Sequence, residues 1–85
     1  MKYRLAYTHR AARDIGGLEE SVKKRIGKSL KRYAGEPLKY ASKLTDPALG
    51  TYRFRIGDYR VVFDIEDEEI VVLRVGHRRD IYRRL

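Results

Sequence analysis

Two runs of alternating side chains joined by a tight turn dominate the pattern of this chain. They read Tyr52-Arg53-Phe54-Arg55-Ile56-Gly57-Asp58-Tyr59-Arg60-Val61-Val62-Phe63. Alternation of apolar and polar residues is typical of strands with one buried face, and a two-residue Gly-Asp connection favours a β-hairpin. A turn at positions 57 and 58 places Arg55 directly opposite Arg60. Because like charges that face each other destabilise a sheet, stability alone would select against this pair.

A third strand, residues 70–76, is expected after an acidic turn, and its register depends on the length of that turn. A three-residue turn places Val71, Leu73 and Val75 on the apolar face of the hairpin. A four-residue turn would place Arg74 there instead. We prefer the three-residue turn because it buries apolar groups alone. The opposite face then carries Arg53, Arg55, Arg60, Arg74, Val62, Val72 and Asp64.

The first half of the chain predicts one strand and two helices. Residues 3–7 alternate as a short strand does, and Thr8 follows in the N-cap position of a helix. The second helix ends near Gly35. Its apolar side chains recur at helical spacing, namely Val22, Ile26, Leu30 and Tyr33. Residues 36–50 carry prolines and no sustained period, which predicts a loop.

These elements predict an α+β fold of order β-α-α-β-β-β, with two helices on one face of an antiparallel-rich sheet and a short C-terminal helical turn. Residues 1–85 are expected to form a single domain. The opposite face of the sheet is expected to lack a helical cover and to be strongly positive. An alternative interpretation is that the acidic residues at 64–69 neutralise these arginines in a solvated ion network.

Composition narrows the class of protein. The chain has 85 residues and a net charge of +8, a balance that favours a polyanionic partner. Cysteine is absent and histidine occurs twice, so a metal site is improbable, and the glycines follow no dinucleotide or phosphate-loop pattern. No cofactor is therefore expected. No apolar run is long enough for a membrane span, and the N-terminus lacks the apolar stretch of a signal peptide, so a cytoplasmic location without a membrane partner is expected.

The C-terminal tail contributes the groups that chemistry on RNA would need. Attack of a 2′-hydroxyl on the adjacent phosphate requires a proton acceptor, a donor to the departing 5′-oxygen, and cations for the charge on phosphorus. His77 and Tyr82 are candidates for the proton steps, although an unperturbed tyrosine would need neighbouring cations to act as a base. Two alternatives stay open. Tyr82 could dock the tail together with Ile81 and Leu85, and His77 could simply end the strand.

The hairpin pattern, followed by Val75-Gly76-His77-Arg78-Arg79-Asp80-Ile81-Tyr82, resembles the RelE branch of the RelE/ParE toxin superfamily. This resemblance implies a toxin of a type II toxin–antitoxin system that enters the ribosomal A site and cuts the messenger there. It also implies a complex with an acidic RelB-like antitoxin, so that the toxin exists as a monomer or in a toxin–antitoxin hetero-oligomer. The antitoxin is expected to cover the arginines and to be partly disordered when free.

The resemblance also implies roles for individual residues. Arg60 would stabilise the phosphate in the transition state, and Arg78 would stabilise the phosphate or the leaving group. Tyr82 would stack on a base or activate the 2′-hydroxyl, and His77 would do acid–base work. Expected contacts to the RNA are Lys43, Arg53, Arg55, Arg74 and Arg79. Arginine stands at two places where relatives often carry lysine, and arginine cannot exchange protons near neutral pH.

Two other functions are compatible with the sequence. The ParE branch shares the fold but resembles inhibitors of DNA gyrase and lacks the nuclease residues. A domain that binds nucleic acid without cutting it would need only the positive charge.

Overall fold

The computed structural model describes residues 3–45 and 49–82. Its elements, in chain order, are β1 (Arg4–Tyr7), α1 (His9–Gly16), α2 (Glu20–Tyr33), α3 (Pro37–Tyr40), β2 (Ser42–Lys43), β3 (Tyr52–Ile56), β4 (Tyr59–Glu66) and β5 (Glu69–His77). The strands form one sheet in the order β1-β5-β4-β3-β2. Strand β1 is parallel to β5, and the other neighbouring strands are antiparallel. The predicted α+β class and the antiparallel-rich sheet are thus confirmed.

The local signals at the start of the chain act as expected. The Thr8 hydroxyl accepts a hydrogen bond from the backbone N–H of Ala11 at 3.1 Å, which satisfies one of the free donors at the start of α1. Helix α2 presents the predicted apolar stripe, and Ile26 and Leu30 are buried in it. One side of the sheet is therefore covered by helices.

Aromatic side chains form the centre of the core between α2 and the sheet. The rings of Phe54 and Phe63 stack with their centroids 4.2 Å apart, and Tyr33 lies 4.9 Å from Phe54. Both phenylalanines are fully buried. Burying each such side chain contributes about 1.5 to 3 kcal/mol, so this cluster holds the hairpin against the helix.

The predicted register of the third strand was wrong. The turn between β4 and β5 has two residues, because Asp67 adopts a left-handed conformation with φ of 56°, which aspartate tolerates better than most residues. Ile70 and Val72 therefore face the core, and Val72 does not lie on the arginine side. A β-bulge then leaves Leu73 without a partner in β4 and returns Val75 to the core.

The expected loop at 36–50 contains two short elements that the sequence period did not reveal. Proline at the first turn starts α3, and the ring of Tyr40 in this helix stacks on Tyr33 at 4.4 Å. Strand β2 follows and pairs with β3, so Lys43 lies in an edge strand. Elements of four and two residues are too short to show a period. Pro47, a proline of the predicted loop, and Leu85, which could dock the tail together with Tyr82, lie outside the described residues.

The side of the sheet opposite the helices is called the arginine face here; it carries Arg53, Arg55, Arg60 and Arg74. Its middle is covered by the chain around Gly50, where φ is +145°. A Cβ at Gly50 would lie 2.6 Å from Cγ1 of Val62, which is fully buried on this face. Close backbone packing therefore requires glycine at this position. The end of the arginine face nearest the hairpin turn lies beyond this covered region.

Candidate active site

The hairpin turn brings two arginines face to face, as the sequence predicts. Arg55 pairs with Arg60 across β3 and β4, and Gly57 in the turn adopts a φ of 61°. Arg55 is exposed, whereas Arg60 retains only 7% of its accessible surface. The two cations differ in environment, and Arg60 is the one held within the protein.

Arg60 is fixed by backbone carbonyls. Its Nη1 donates to the carbonyl oxygens of Gly57 and Tyr59, both at 2.9 Å, and no salt bridge joins Arg60 to any carboxylate of the described residues. Burial lowers the pKa of Arg60 below its usual range, and the neighbouring cations Arg55, Arg53 and Arg78 lower that pKa further. A buried cation among other cations creates a positive potential that attracts anions.

The C-terminal tail folds back over this end of the sheet. The backbone N–H of Arg78 donates to the Asp58 carbonyl at 2.7 Å, and the N–H groups of Asp80 and Ile81 both donate to the His77 carbonyl. The two bonds to the His77 carbonyl close one helical turn. Ile81 is 2% exposed and lies against Gly76, which pairs with Arg60 across the sheet. The buried isoleucine thus anchors the tail on the arginine face.

This anchored turn places Tyr82 beside the arginines. The Nη1 atom of Arg53 donates to the Tyr82 hydroxyl at 2.9 Å. Tyr82 is also close enough to Arg60 that its negative charge, when ionised, would raise the pKa of that guanidinium. The predicted residues Arg53, Arg55, Arg60, Arg78 and Tyr82 are therefore grouped, and we call them the arginine–tyrosine cluster.

Arg78 in this cluster has a weak local partner. Its Nε lies 3.7 Å from Oδ1 of Asp58, and both side chains are more than half exposed. An exposed ion pair of this kind contributes about 0 to 1 kcal/mol. The Arg78 guanidinium therefore remains available to an incoming phosphate.

The other predicted site residues lie elsewhere. Arg74 donates through Nε to Asp14 of α1 at 2.8 Å, and both side chains are 16% exposed. The His77 ring packs edge-on against Tyr59, which belongs to the helix-covered side of the sheet. Lys43 pairs with Tyr52, also of that side, and Arg79 is exposed in the tail turn. The structure does not bring these four residues into the arginine–tyrosine cluster.

The sequence patterns did not reveal two side chains that contact this part of the sheet, Asp14 and Arg25. Oδ2 of Asp14 accepts hydrogen bonds from the Arg74 side chain and from the backbone N–H of Val75. The guanidinium of Arg25, in α2, lies against the hairpin turn, so a Cβ at Gly57 would be 2.5 Å from one of its nitrogens. No local pattern links either residue to positions so distant in the chain.

Two further findings concern the described part of the chain. Within residues 3–45 and 49–82, no group of three or more His, Asp or Glu side chains is placed to hold a metal ion. In the same residues, no helix combines the length and apolarity needed to cross a membrane.

Comparison with known proteins identifies the class. The family model for the ParE toxin of type II toxin–antitoxin systems matches residues 5–82. The chain is 36% identical over 87 residues to Toxin RelG of Mycobacterium tuberculosis, and the match covers 99% of this chain and 100% of that protein. This protein is therefore a toxin of a type II toxin–antitoxin system.

Solved structures agree with this class. The fold is similar to a chain in the RelBE2 toxin–antitoxin complex from Mycobacterium tuberculosis, with a TM-score of 0.81, 29% identity, and coverage of 92% of this chain and 100% of that chain. A chain of the archaeal RelE–RelB complex from Pyrococcus horikoshii gives a TM-score of 0.74, 25% identity, and coverage of 94% and 99%. The chain belongs to the RelE/ParE toxin superfamily, and it is RelE-like.

Proposed function

We propose that this toxin is a ribosome-dependent endoribonuclease that cleaves messenger RNA in the ribosomal A site and so stops translation. The observation that carries the proposal is the buried side chain of Arg60. It has no carboxylate partner among the described residues, and it lies among other cations beside the Tyr82 hydroxyl. A folded protein retains such a cation at a cost in stability, which a bound phosphate would offset.

The proposed reaction is attack of a 2′-hydroxyl on the neighbouring phosphate. The 2′-oxygen bonds to phosphorus, the bond from phosphorus to the 5′-oxygen breaks, and the products are a 2′,3′-cyclic phosphate and a free 5′-hydroxyl. Arg60 stabilises the negative charge on the phosphate oxygens as it develops, and Arg78 does the same near the leaving oxygen. Arg53 and Arg55 attract the RNA backbone.

Tyr82 is the residue of the cluster that is suited to the proton steps. Guanidinium groups stay protonated near neutral pH, and the His77 ring contacts Tyr59 rather than the cluster. We assign the ionised form of Tyr82 the removal of the 2′-hydroxyl proton, and solvent water supplies the proton that the departing 5′-oxygen takes up. The ribosome orients the messenger and completes the site, which places the reaction in the cytoplasm. Arg74, already paired with Asp14, is left out of the RNA contacts.

The proposed partner is an acidic antitoxin that covers the arginine–tyrosine cluster. The similar structures from Mycobacterium tuberculosis and Pyrococcus horikoshii are complexes of a toxin with an antitoxin. A net charge of +8 favours an acidic segment as the inhibitor of this chain. Such a segment would block the site by occupying the positions of the RNA phosphates.

Cleavage of messenger on programmed ribosomes tests the proposal. Toeprinting with the wild-type protein should show cuts in the A-site codon, and these should disappear with Arg60→Ala and Arg78→Ala variants whose circular dichroism spectra are unchanged. Lys28→Ala is the matched control, because it removes one exposed charge from α2, away from the cluster. Intact messenger with the wild-type protein would refute the nuclease function.

Inhibition of DNA gyrase is the second candidate, because the family model that matches the chain is that of the ParE toxin. Inhibited supercoiling by purified gyrase, together with intact messenger, would establish it. Binding of RNA without cleavage and without an effect on growth would instead indicate a nucleic-acid-binding module.

A further inference from the structure

Arg53 makes a contact that distinguishes it from the other arginines of the cluster. Its Nη1 donates to the Tyr82 hydroxyl at 2.9 Å, across 29 positions of sequence. The guanidinium carbon also lies 5.9 Å from the centroid of the Tyr82 ring, at the outer limit for a cation–π contact. One arginine thus holds the ring and the hydroxyl of the same tyrosine.

The bond has a defined polarity. Arginine carries donors and no acceptor, so the Tyr82 oxygen must be the acceptor. The tyrosine hydrogen is left free to point away from Arg53. Tyr82 is 36% exposed, so its hydroxyl remains accessible while the bond to Arg53 holds it in place.

Arg53 is itself held by the sheet. It lies opposite Val62, which is fully buried, and its own Nε atom is buried with no hydrogen-bond partner among the described residues. A buried polar atom without a partner opposes folding, so the Nε atom of Arg53 adds nothing to the stability of the sheet. Arg55, two residues along the same strand, is exposed, and its side chain makes no hydrogen bond to the described residues.

We infer that Arg53 is a positioning residue for Tyr82: its donated hydrogen bond holds the Tyr82 oxygen over the arginine face, where that oxygen can reach the 2′-hydroxyl of the bound RNA. This inference rests on the proposed nuclease function. Arg53 therefore acts on cleavage mainly through Tyr82, whereas Arg55 acts through general attraction of the backbone. The two arginines share charge and strand, so they form a matched pair.

A double-mutant cycle tests the inference. Single-turnover cleavage is measured on programmed ribosomes for Arg53→Gln and Arg55→Gln, each with Tyr82 intact and with Tyr82→Phe. Arg53→Gln should lower the maximal rate constant by roughly 10- to 100-fold, because misplacement of a reacting group by about 1 Å has effects of this size. In the Tyr82→Phe protein it should lower the rate no more than about twofold, because the acceptor of the bond is already gone. Arg55→Gln should reduce the rate by the same factor in both proteins.

The conservative variant Arg53→Lys distinguishes a positioning role of Arg53 from a purely structural one. Arg53→Lys keeps one donor on the same strand and should recover most of the rate lost in Arg53→Gln, with little change in the ribosome concentration at half-maximal rate. Effects of Arg53→Gln and Tyr82→Phe that multiply, while the wild-type protein cleaves, would overturn the inference and leave the proposed function standing. A wild-type protein that cleaves nothing would overturn both.

A readout independent of activity tests the contact itself. With ¹³Cζ-labelled tyrosine, the Tyr82 signal is assigned by its loss in Tyr82→Phe. It should shift in Arg53→Gln and stay in place in Arg55→Gln, because a hydrogen bond to the hydroxyl changes the shielding of the adjacent ring carbon. An unchanged Tyr82 signal in Arg53→Gln would contradict the contact and the inference with it.

Discussion

Arg60 shows how one side chain can serve a site at the expense of stability. Its guanidinium is nearly buried, faces Arg55, and has backbone carbonyls as its hydrogen-bond acceptors. Burial and the neighbouring cations lower its pKa, which means that the folded protein disfavours the charged form. Because this pKa lies below that of the unfolded chain, the protonated side chain opposes folding at every pH below the lowered value.

Replacing this residue by methionine should therefore stabilise the fold. Arg60→Met is expected to raise the free energy of unfolding by roughly 0.2 to 1 kcal/mol, the size of a cross-strand repulsion. The gain should be the same at pH 5 and pH 8, because a guanidinium is fully protonated at both. Urea denaturation at the two pH values measures it. A loss of stability, or a gain that changes between them, would contradict this account of Arg60.

Helix α1 is joined to the sheet by a polar contact. The Asp14 carboxylate accepts hydrogen bonds from the Arg74 side chain and from the backbone N–H of Val75. Arg74 and Val75 lie in the part of β5 that follows its pairing with β1, which ends at Tyr7. This contact satisfies a β5 backbone donor near the bulge. It also pairs the positive charge of Arg74 with a carboxylate, so Arg74 adds little to the charge of the arginine–tyrosine cluster.

Loss of the Asp14 carboxylate should leave the largely buried cation of Arg74 without its partner. Asp14→Ala is expected to lower the free energy of unfolding by about 3 kcal/mol, the lower end of the range for breaking a buried ion pair, because both side chains keep some exposure to solvent. The double variant Asp14→Ala/Arg74→Met should be more stable than Asp14→Ala alone, because it removes the stranded charge. Denaturant midpoints of the three proteins decide the point, and equal stability of the single and double variants would show that the pair is not coupled.

Alanine substitutions at two glycines should change the free energy of unfolding in opposite directions. Gly50→Ala should lower the free energy of unfolding by about 1 to 3 kcal/mol, because the added methyl would meet Val62 at 2.6 Å in a backbone conformation that disfavours side chains. Gly27→Ala, inside α2 with nothing within 4 Å of the added Cβ, should raise it by up to about 1 kcal/mol. Thermal unfolding of both variants measures the difference, and a stabilised Gly50→Ala protein would contradict the described cover of the arginine face.

Charge over the molecule as a whole makes the free toxin sensitive to anions. The net charge is +8, and several cations converge at one end of the sheet without a matching number of carboxylates among the described residues. An anion that binds the folded state alone raises its stability by mass action. An acidic antitoxin or an RNA backbone would act in the same way.

Sulfate should therefore raise the thermal midpoint of the wild-type protein above its value in sodium chloride of equal ionic strength. For a domain of this size, each kcal/mol of stabilisation corresponds to about 4 to 8 °C. The rise should be smaller in Arg60→Met, which lacks the central cation, and unchanged in Lys28→Ala. Equal rises in the wild-type protein and Arg60→Met would show that sulfate acts on the surface in general rather than at the arginine–tyrosine cluster.

Local patterns predicted those features that depend on neighbouring residues. The length of the turn at 57 and 58 sets the pairing of Arg55 with Arg60, the Thr8 cap depends on residues within one helical turn, and the stripe on α2 follows the helical period. Each of these was correct because turn chemistry and side-chain period act over a few bonds. The grouping of Arg60 with Arg53 and Arg55 followed from the same short-range rules.

Features that depend on contacts between distant parts of the chain could be seen only in the folded structure. The bulge at Leu73 returned Val75 to the core after the two-residue turn had reversed the expected alternation. The side chain of His77 came to lie against Tyr59, and Arg74 found its partner 60 positions away in α1. The contact of Arg53 with Tyr82 likewise spans 29 positions. No period or spacing encodes these contacts, because each depends on how strands, helix and tail pack once the apolar core has brought them together.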